Sequence, residues 1–494
     1  MAKKNYGKLT PEQEGSLRAL FQKLDKHETG NSEKHAYYTG EVKVPSLGIA
    51  MPEHFDKRIG TVIGWPGTQI DVLEERLGFR GWTVAQSADM EDGEDFGLAE
   101  IFRANGLATI SAQAHIDALI YGTAFVCVGV GDASIDEPNP SIVVQSPRNM
   151  TGLIDPRTRR LTIAASRFWD TEVSAYTMAT LYTDTETIVI QRATENMPWR
   201  VTWRGVHNLG RVPVVRLVNR AYASQLEGRS EITRGIRSVT NAAVRTMSNA
   251  AINQEFYATP QRYMINVSED QFSKKDGSKV AGFEAVMGRM LGIPFDEDNP
   301  EARPSVGQFP QASPDPYLAQ LTKQAELFSA EAGIPTTYLA ISANQPPSAD
   351  AIRAMESRLV KRAEKRQTDF GQGWMEVARL ALLVRDGKLP EGFNRNVFVS
   401  WSDPSTPTKA AAADAATKLR QVEILPKNSR VTREWVGMTE AQIRQLEQED
   451  RNARVDELIN GLRGGAAEAR EDSAIAERAD RDRPVNGDDS KEAA

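Results

Sequence analysis

Apolar positions recur every three or four residues near the start of the chain. In "PEQEGSLRALFQKLDKHETG", Leu17, Leu20, Phe21 and Leu24 predict a short amphipathic helix, with Gly30 just beyond its end. Ile70, Leu73 and Leu77 share one face of a second predicted helix, "GTQIDVLEERLGF", and "LAEIFRANGLA" and "TISAQAHIDALIYG" keep the same spacing. From about residue 122 to residue 220 the period drops to two. "TAFVCVGVG", "SIVVQS", "RLTIAASRFW", "AYTMATLYT", "ETIVIQRA", "WRVTWRGV" and "VPVVRLV" are β-branched and aromatic runs cut by turns such as Asp155-Pro156 and Asp184-Thr185. That pattern predicts an antiparallel meander, and helices followed by sheet predict an α+β fold.

Helical spacing returns at Glu231. Ile232, Ile236, Val239, Ala243, Met247 and Ala250 form one stripe through "EITRGIRSVTNAAVRTMSNAAINQEFY", which spans roughly 40 Å at the standard rise. A Gly- and Pro-broken segment follows, with strand-like "RYMINVS" and "RMLGIPF". Then "SPDPYLAQLTKQAELFSAEAG" places Leu318, Leu321, Ala325 and Phe328 on one helical face, with Gly333 as the terminating residue.

The longest pattern begins after an irregular loop, "IPTTYLAISANQPP". Ser348 is suited to N-cap a helix that runs to about Asp386 and stops at Gly387, with Pro390 beyond. Its stripe is Ile352, Met355, Leu359, Ala363, Phe370, Trp374, Val377, Ala381 and Val384, roughly 55 Å of helix. Gly371 and Gly373 mark the expected bend. "VFVSWSD" reads as one more strand. Two or three helices complete the folded part, the last opened by a Thr439-x-x-Gln442 capping box. From Gly464 onward five basic residues face nine acidic ones and no aromatic occurs, the composition of a disordered acidic tail.

Composition narrows the chemistry. At 494 residues the chain can hold several cores. It has no apolar run long enough for a membrane span and no secretory h-region, so it is expected to be made in the cytoplasm. The net charge of −7 lacks the basic excess of a tight nucleic-acid binder. Cys127 is the single cysteine, which excludes a disulfide framework and a cysteine zinc site, and its apolar run makes it a buried small side chain.

No GxxxxGK[ST] is present, which excludes a P-loop ATPase. "VGVGDAS" has a Gly-x-Gly without the third glycine and reads as a strand end with a turn. "DMEDGEDFGLAE" puts Asp89, Glu91, Asp95 and Glu100 at the ligand positions of a calcium loop. Glu94, however, occupies the place where the sharp turn needs glycine, so a solvated acidic loop before a helix is favoured. His27, His35, His54, His115 and His207 show no ligand spacing, and His115 reads as structural. No GxSxG elbow occurs. On the long helix, Arg353, Arg358, Lys361, Arg362, Lys365 and Arg366 outnumber Glu356, Glu364 and Asp369. Such a run reads first as a solvated face with i,i+4 pairs and second as a positive band facing a polyanion or an acidic neighbouring subunit.

In order along the chain, "VLEERLGFRGW", "DALIYGTAFVCVGVGD", "HNLGRVPVVRLVNR", "GRSEITRGIRSVTNAAVRTMSNAAINQEFYATPQRYMI" and "AGIPTTYL … SADAIRAMESRLVKRAEKRQTDFG" resemble the portal proteins of tailed double-stranded-DNA bacteriophages over roughly residues 40–460. The resemblance implies a portal architecture: an N-terminal arm at 1–40, an α/β wing at 41–230, stem helices at 231–260 and 313–333, and a small α/β clip at 261–312. It further implies a tunnel loop at 334–349, a kinked long wing helix with its return strand at 350–407, a helical crown at 408–463 and the acidic tail at 464–494.

By the same resemblance the chain is a non-enzymatic, cofactor-free ring homo-oligomer, a dodecamer, at one vertex of the virion capsid, assembled in the host cytoplasm. It implies a channel for DNA packaging and ejection. The implied partners are the large terminase, the head–tail connector or adaptor, the major capsid and scaffolding proteins, and the duplex itself. Ser342, Asn344, Gln345 and Ser348 would line the constriction with uncharged polar groups, suited to sliding because each basic contact to phosphate adds affinity. The alternative from another class is an intracellular enzyme with an α+β catalytic domain and a metal site at the acidic loop, residues 89–95.

Overall fold

Thr10 opens the first helix with a reciprocal cap. Its hydroxyl accepts from the Gln13 amide at 3.2 Å while the Gln13 side chain accepts from the Thr10 amide at 3.0 Å, and Pro11 sits at the first helical position. In the computed structural model this helix, α1, runs Pro11–Thr39, 29 residues, well past the Gly30 that the sequence places beyond its end. A mid-helix glycine costs about 1 kcal/mol. Tertiary packing outweighs it: Leu17, Leu20 and Leu24 are buried, and so are Asn31 and Tyr37 beyond the glycine.

The structure describes residues 6–44, 61–85, 95–207, 209–257, 262–267, 290–294, 305–308, 313–339, 348–405, 409–424, 429–438, 442–457 and 459–460. The chain divides into two compact units, Met1–Ser405 and Thr406–Ala494. Helices and strands mix throughout the first, so the α+β class expected from the pattern holds.

In the first unit, α2 (Trp65–Glu74) ends earlier than its periodicity suggests, and Phe79 begins strand β1 (Phe79–Val84) instead of continuing the helix. The reason is a distant partner: β1 pairs antiparallel with a strand at Val397–Trp401. Gly78 permits the approach, since a Cβ there would lie 2.6 Å from the Ser402 hydroxyl. Helices α3 (Leu98–Ala104) and α4 (Leu107–Tyr121) follow.

The period-two region forms two sheets. β2 (Thr123–Gly129) lies between β3 (Ser141–Gln145) and β9 (Val214–Val218). β4 (Met150–Ile154), β5 (Leu161–Asp170), β6 (Ala175–Tyr182), β7 (Glu186–Gln191) and β8 (Arg200–Val206) form the expected antiparallel meander in sequence order. Leu17 and Leu20 of α1 pack on its inner face with Ala165, Ala179, Leu181, Ile188 and Ile190.

Helix α5 spans Arg234–Tyr257, starting three residues after Glu231. Its stripe is only half buried: Ile232, Ile236 and Ala243 are covered, but Met247 is 38% exposed. A small sheet follows, in which β10 (Arg262–Val267) pairs parallel with β11 (Met290–Pro294) and antiparallel with β12 (Ser305–Gln308). The third strand was not expected, because "SVGQ" is short and flanked by prolines. Helix α6 (Asp315–Ala332) ends on Gly333 at φ 67°, as its position predicts.

The long helix α7 runs Ala349–Asp386, 38 residues, from the Ser348 cap to Gly387 at φ 72°, matching the bounds read from sequence. A four-residue helix α8 (Phe393–Asn396) and β13 (Val397–Trp401) close the unit. The second unit holds α9 (Lys409–Gln421), α10 (Arg430–Trp435) and α11, helical over 442–457. Arg430 reaches Glu447 at 3.5 Å and Arg433 pairs with Asp450, joining α10 to α11. The capping box at Thr439 and the tail from 464 lie outside the described residues. No helix among the described residues is long and apolar enough to cross a membrane.

Candidate functional site

The site is built around α7 and the segment leading into it. Ile334 is buried and its carbonyl accepts from the Ser329 hydroxyl at 2.6 Å, so the exit from α6 is fixed. One 3₁₀ turn, Thr336–Leu339, follows. Its Tyr338 hydroxyl donates to Glu356 at 2.7 Å, and Arg76 donates to both, at 3.0 Å to Tyr338 and 3.1 Å to Glu356. The turn is thus tied to α7 through Glu356, seven residues into the helix. On the other side, the exposed Ser348 hydroxyl accepts from the Ala351 amide at 3.2 Å. Ser342, Asn344 and Gln345 lie outside the described residues.

The basic run splits into two sets. Arg362 and Arg366 turn inward onto Glu231, which is 1% exposed. Arg362 donates to Oε2 at 2.6 Å, Arg366 to Oε1 at 2.9 Å, and Arg220 to Oε2 at 3.0 Å; Asn219 adds a donor at 3.2 Å. Burial alone would raise the pKa of Glu231, but the three guanidiniums outweigh it and hold the carboxyl below its ordinary value. Arg358 donates to the Ala330 carbonyl at 2.9 Å, against the last turn of α6. Gly333 is required here twice over: its φ is 67° and a Cβ would lie 2.5 Å from Arg362 Nη1.

Arg353, Lys361 and Lys365 stay on the exposed side, Lys365 in an i,i+4 pair with Asp369 at 2.9 Å. The face is therefore neither wholly solvated nor a continuous band. Glu231 was missed at the sequence level, since nothing local marks a carboxylate whose partners stand 131 and 135 positions away.

Gly371 and Gly373 lie within an unbroken helix. At Gly373 a Cβ would sit 2.3 Å from Leu217 Cδ2 and 3.2 Å from the Arg216 carbonyl, so this glycine lets β9 press against α7; at Gly371 the nearest atom is Trp401 Nε1 at 3.6 Å. The next residue, Trp374, is fully buried. Its indole donates to His115 Nε2 at 3.0 Å, and its carbonyl accepts from the Trp82 indole at 3.0 Å. Phe79 stacks on it at 4.6 Å. His115 is thus a core acceptor, its pKa lowered by burial, as its helix position suggests.

The other chemical candidates resolve just as plainly. Cys127 is buried, and burial pushes its thiol up to about 12. The stretch after β2 is a turn in which Asp132 accepts from the Ser134 amide at 2.8 Å. In the acidic loop, Asp95 accepts from the amides of Gly97 and Ala99 at 2.9 and 3.1 Å, capping α3; residues 86–94 lie outside the described residues. Among the described residues no group of His, Cys, Asp or Glu is arranged to hold a metal.

Comparison with known proteins decides between the readings. The profile of the phage portal proteins described as SPP1 Gp6-like matches residues 33–455. The chain belongs to this phage portal protein family. It is 34% identical over 389 residues to the portal protein of Mycobacterium phage L5, covering 78% of this chain and 77% of the relative. It is 35% identical, with the same coverage, to the portal protein of Mycobacterium phage D29. The family is structural and non-enzymatic: portals are capsid components that form ring assemblies with the packaging machinery and serve DNA packaging. The enzyme reading has no support.

Proposed function

We propose that the chain forms a dodecameric ring at one capsid vertex and that duplex DNA passes through its centre during packaging and ejection. The supporting observation is the match over residues 33–455 together with a particular substructure. Helices α5 and α6 run antiparallel, tied by Thr233 to Glu331 at 3.1 Å near one end and Gln324 to Thr246 at 3.0 Å further along, with the β10–β12 sheet between them in sequence. In this reading the pair is the stem, residues 261–312 the clip, residues 41–230 the wing, and α7 its spine, bent at Gly371 and Gly373. Residues 334–349 are the tunnel loop, and 408–463 the crown.

Met247 on α5, Leu318 and Leu327 on α6, and Ile352 and Met355 on α7 remain exposed in the single chain. Apolar surface on these helices fits contact with neighbouring copies, and head-to-tail contacts of one kind close into a ring when the rotation divides a full turn. The clip would dock the large terminase and then the head–tail connector, while the wing meets the major capsid and scaffolding proteins. Ser342, Asn344, Gln345 and Ser348 would face the duplex. The exposed Arg353, Lys361 and Lys365 are what remains of a positive band towards a neighbouring subunit.

End-on imaging of the purified chain tests the reading. Rings with a central hole wide enough for a duplex are expected. Particles of single-chain size, persisting when capsid and scaffolding proteins are supplied, would overturn it.

A further inference from the structure

Helix α1 carries Lys23, His27, Asn31 and Lys34 on one face, at steps of four, four and three residues. They look into a cavity of about 150 Å³, closed opposite by Arg216 on β9 and by Glu227 in the turn that follows it. Glu227 is the one carboxylate among the lining residues, against three cations. Lys23 takes it, pairing with Glu227 and donating to the Gly152 carbonyl at 3.0 Å.

The other two cations hydrogen-bond only to neutral groups, and Arg216 shares the charge of Glu227 with Lys23. Lys34 reaches the Asn31 side chain at 3.3 Å and the Tyr121 carbonyl at 3.5 Å, both long. Glu33, the acidic neighbour of Lys34, is already paired with Arg237. Arg216 donates to the Leu226 carbonyl at 3.1 Å and the Arg159 carbonyl at 3.3 Å. Burial lowers the pKa of Lys34, with nearby Arg237 adding to it, and brings that of Arg216 down to about 10 against the pull of Glu227. His27 is lowered as well, by burial first and by the neighbouring lysines, against the pull of Glu227.

We propose that this cavity binds a free tetrahedral oxyanion of the phosphate class, held by Lys23, Lys34 and Arg216. A dianion supplies the two missing negative charges and enough acceptor oxygens for all three donors, where water supplies none of the charge. The volume suits an ion with a few waters and falls below the several hundred Å³ of sites for larger organic ligands. Bound there, the ion ties α1 to β9 and the turn that follows it, segments far apart in sequence.

The test follows the thermal unfolding midpoint of the full chain at pH 7.5 as inorganic phosphate replaces sodium chloride at matched ionic strength, with calorimetric titration for the affinity. The site predicts a saturable rise in midpoint. Lys34→Gln weakens the affinity at least tenfold and Lys34→Arg restores most of it. Glu227→Gln, by removing the competing carboxylate, tightens binding several-fold. No saturable rise beyond chloride would overturn the proposal and leave a water-filled cavity. A rise whose affinity ignores Lys34→Gln would overturn it as well, placing the ion elsewhere. Neither result bears on ring formation.

Discussion

Glu231 and Arg366 stand 135 positions apart in the chain and 2.9 Å apart in the fold. Glu231 precedes α5 and Arg366 lies in mid-α7, so their contact fastens the approach to one helix onto the side of another. Arg362 and Arg220 complete the node around a carboxylate with no solvent exposure. Breaking a buried ion pair by removing one partner costs about 3–5 kcal/mol, because the remaining charges stay buried without compensation. Glu231→Gln is therefore expected to lower stability by about that amount, measured by urea unfolding of the purified chain. A loss under about 1 kcal/mol would show the three arginines to be satisfied without it.

The same node fixes a pH dependence. The Glu231 carboxyl titrates below its ordinary value in the folded chain, so the folded state binds its proton less readily than the unfolded state. Its contribution is fully present above the unfolded pKa of about 4.3 and is lost as pH falls through the lower folded value. Urea midpoints measured from pH 6 down to pH 3 should fall for the native chain. Glu231→Gln should show a shallower fall over the acid end of that range. Parallel profiles for the two chains would rule out the node as a source of acid sensitivity.

The two glycines of α7 make opposite predictions. Alanine gains about 1 kcal/mol over glycine in a helix interior. At Gly371 the added methyl would meet nothing nearer than 3.6 Å, so Gly371→Ala is expected to stabilise by about that gain. At Gly373 it would collide with buried Leu217 and crowd the Arg216 carbonyl, and such overpacking costs about 1–3 kcal/mol. Gly373→Ala should therefore unfold at lower urea than Gly371→Ala. If the pair also serves as the proposed bend, Gly371→Ala would additionally reduce ring yield in end-on images while raising the stability of the single chain.

What could be read from sequence was what depends on near neighbours. Ser348, Gly387 and Gly333 are local signals, and they set the ends of α6 and α7 correctly. The meander was legible because successive strands pair with the next in line, from β4 to β8. The misreadings share one cause, a partner far along the chain. Phe79 continues a helical pattern until β13 arrives to make it a strand. Gly30 looks like a stop until the sheet and α4 bury the helix on both sides of it. The basic run of α7 looked like a surface because Glu231 belongs to another segment. Of the expected channel residues only Ser348 falls within the described part, and its observed role is that of a helix cap.

The proposed tunnel loop offers the most direct functional test. "IPTTYLAISANQPPSA" contains no Lys or Arg, and in a ring any residue of this loop is repeated once per subunit. A single new lysine is therefore a ring of lysines around the duplex. Each phosphate neutralised releases condensed counterions, which makes the added affinity steeply salt-dependent. Asn344→Lys is expected to leave ring assembly intact, because Tyr338 and the Ser348 cap hold the loop's ends independently of it. In a packaging assay DNA uptake should slow at low salt and recover as salt rises. Deleting Asn344 and Gln345 should also impair packaging with the ring preserved, but with no recovery in salt. Rings that fail to form in both variants would make the loop an assembly element. Unchanged packaging in both would remove it from the channel.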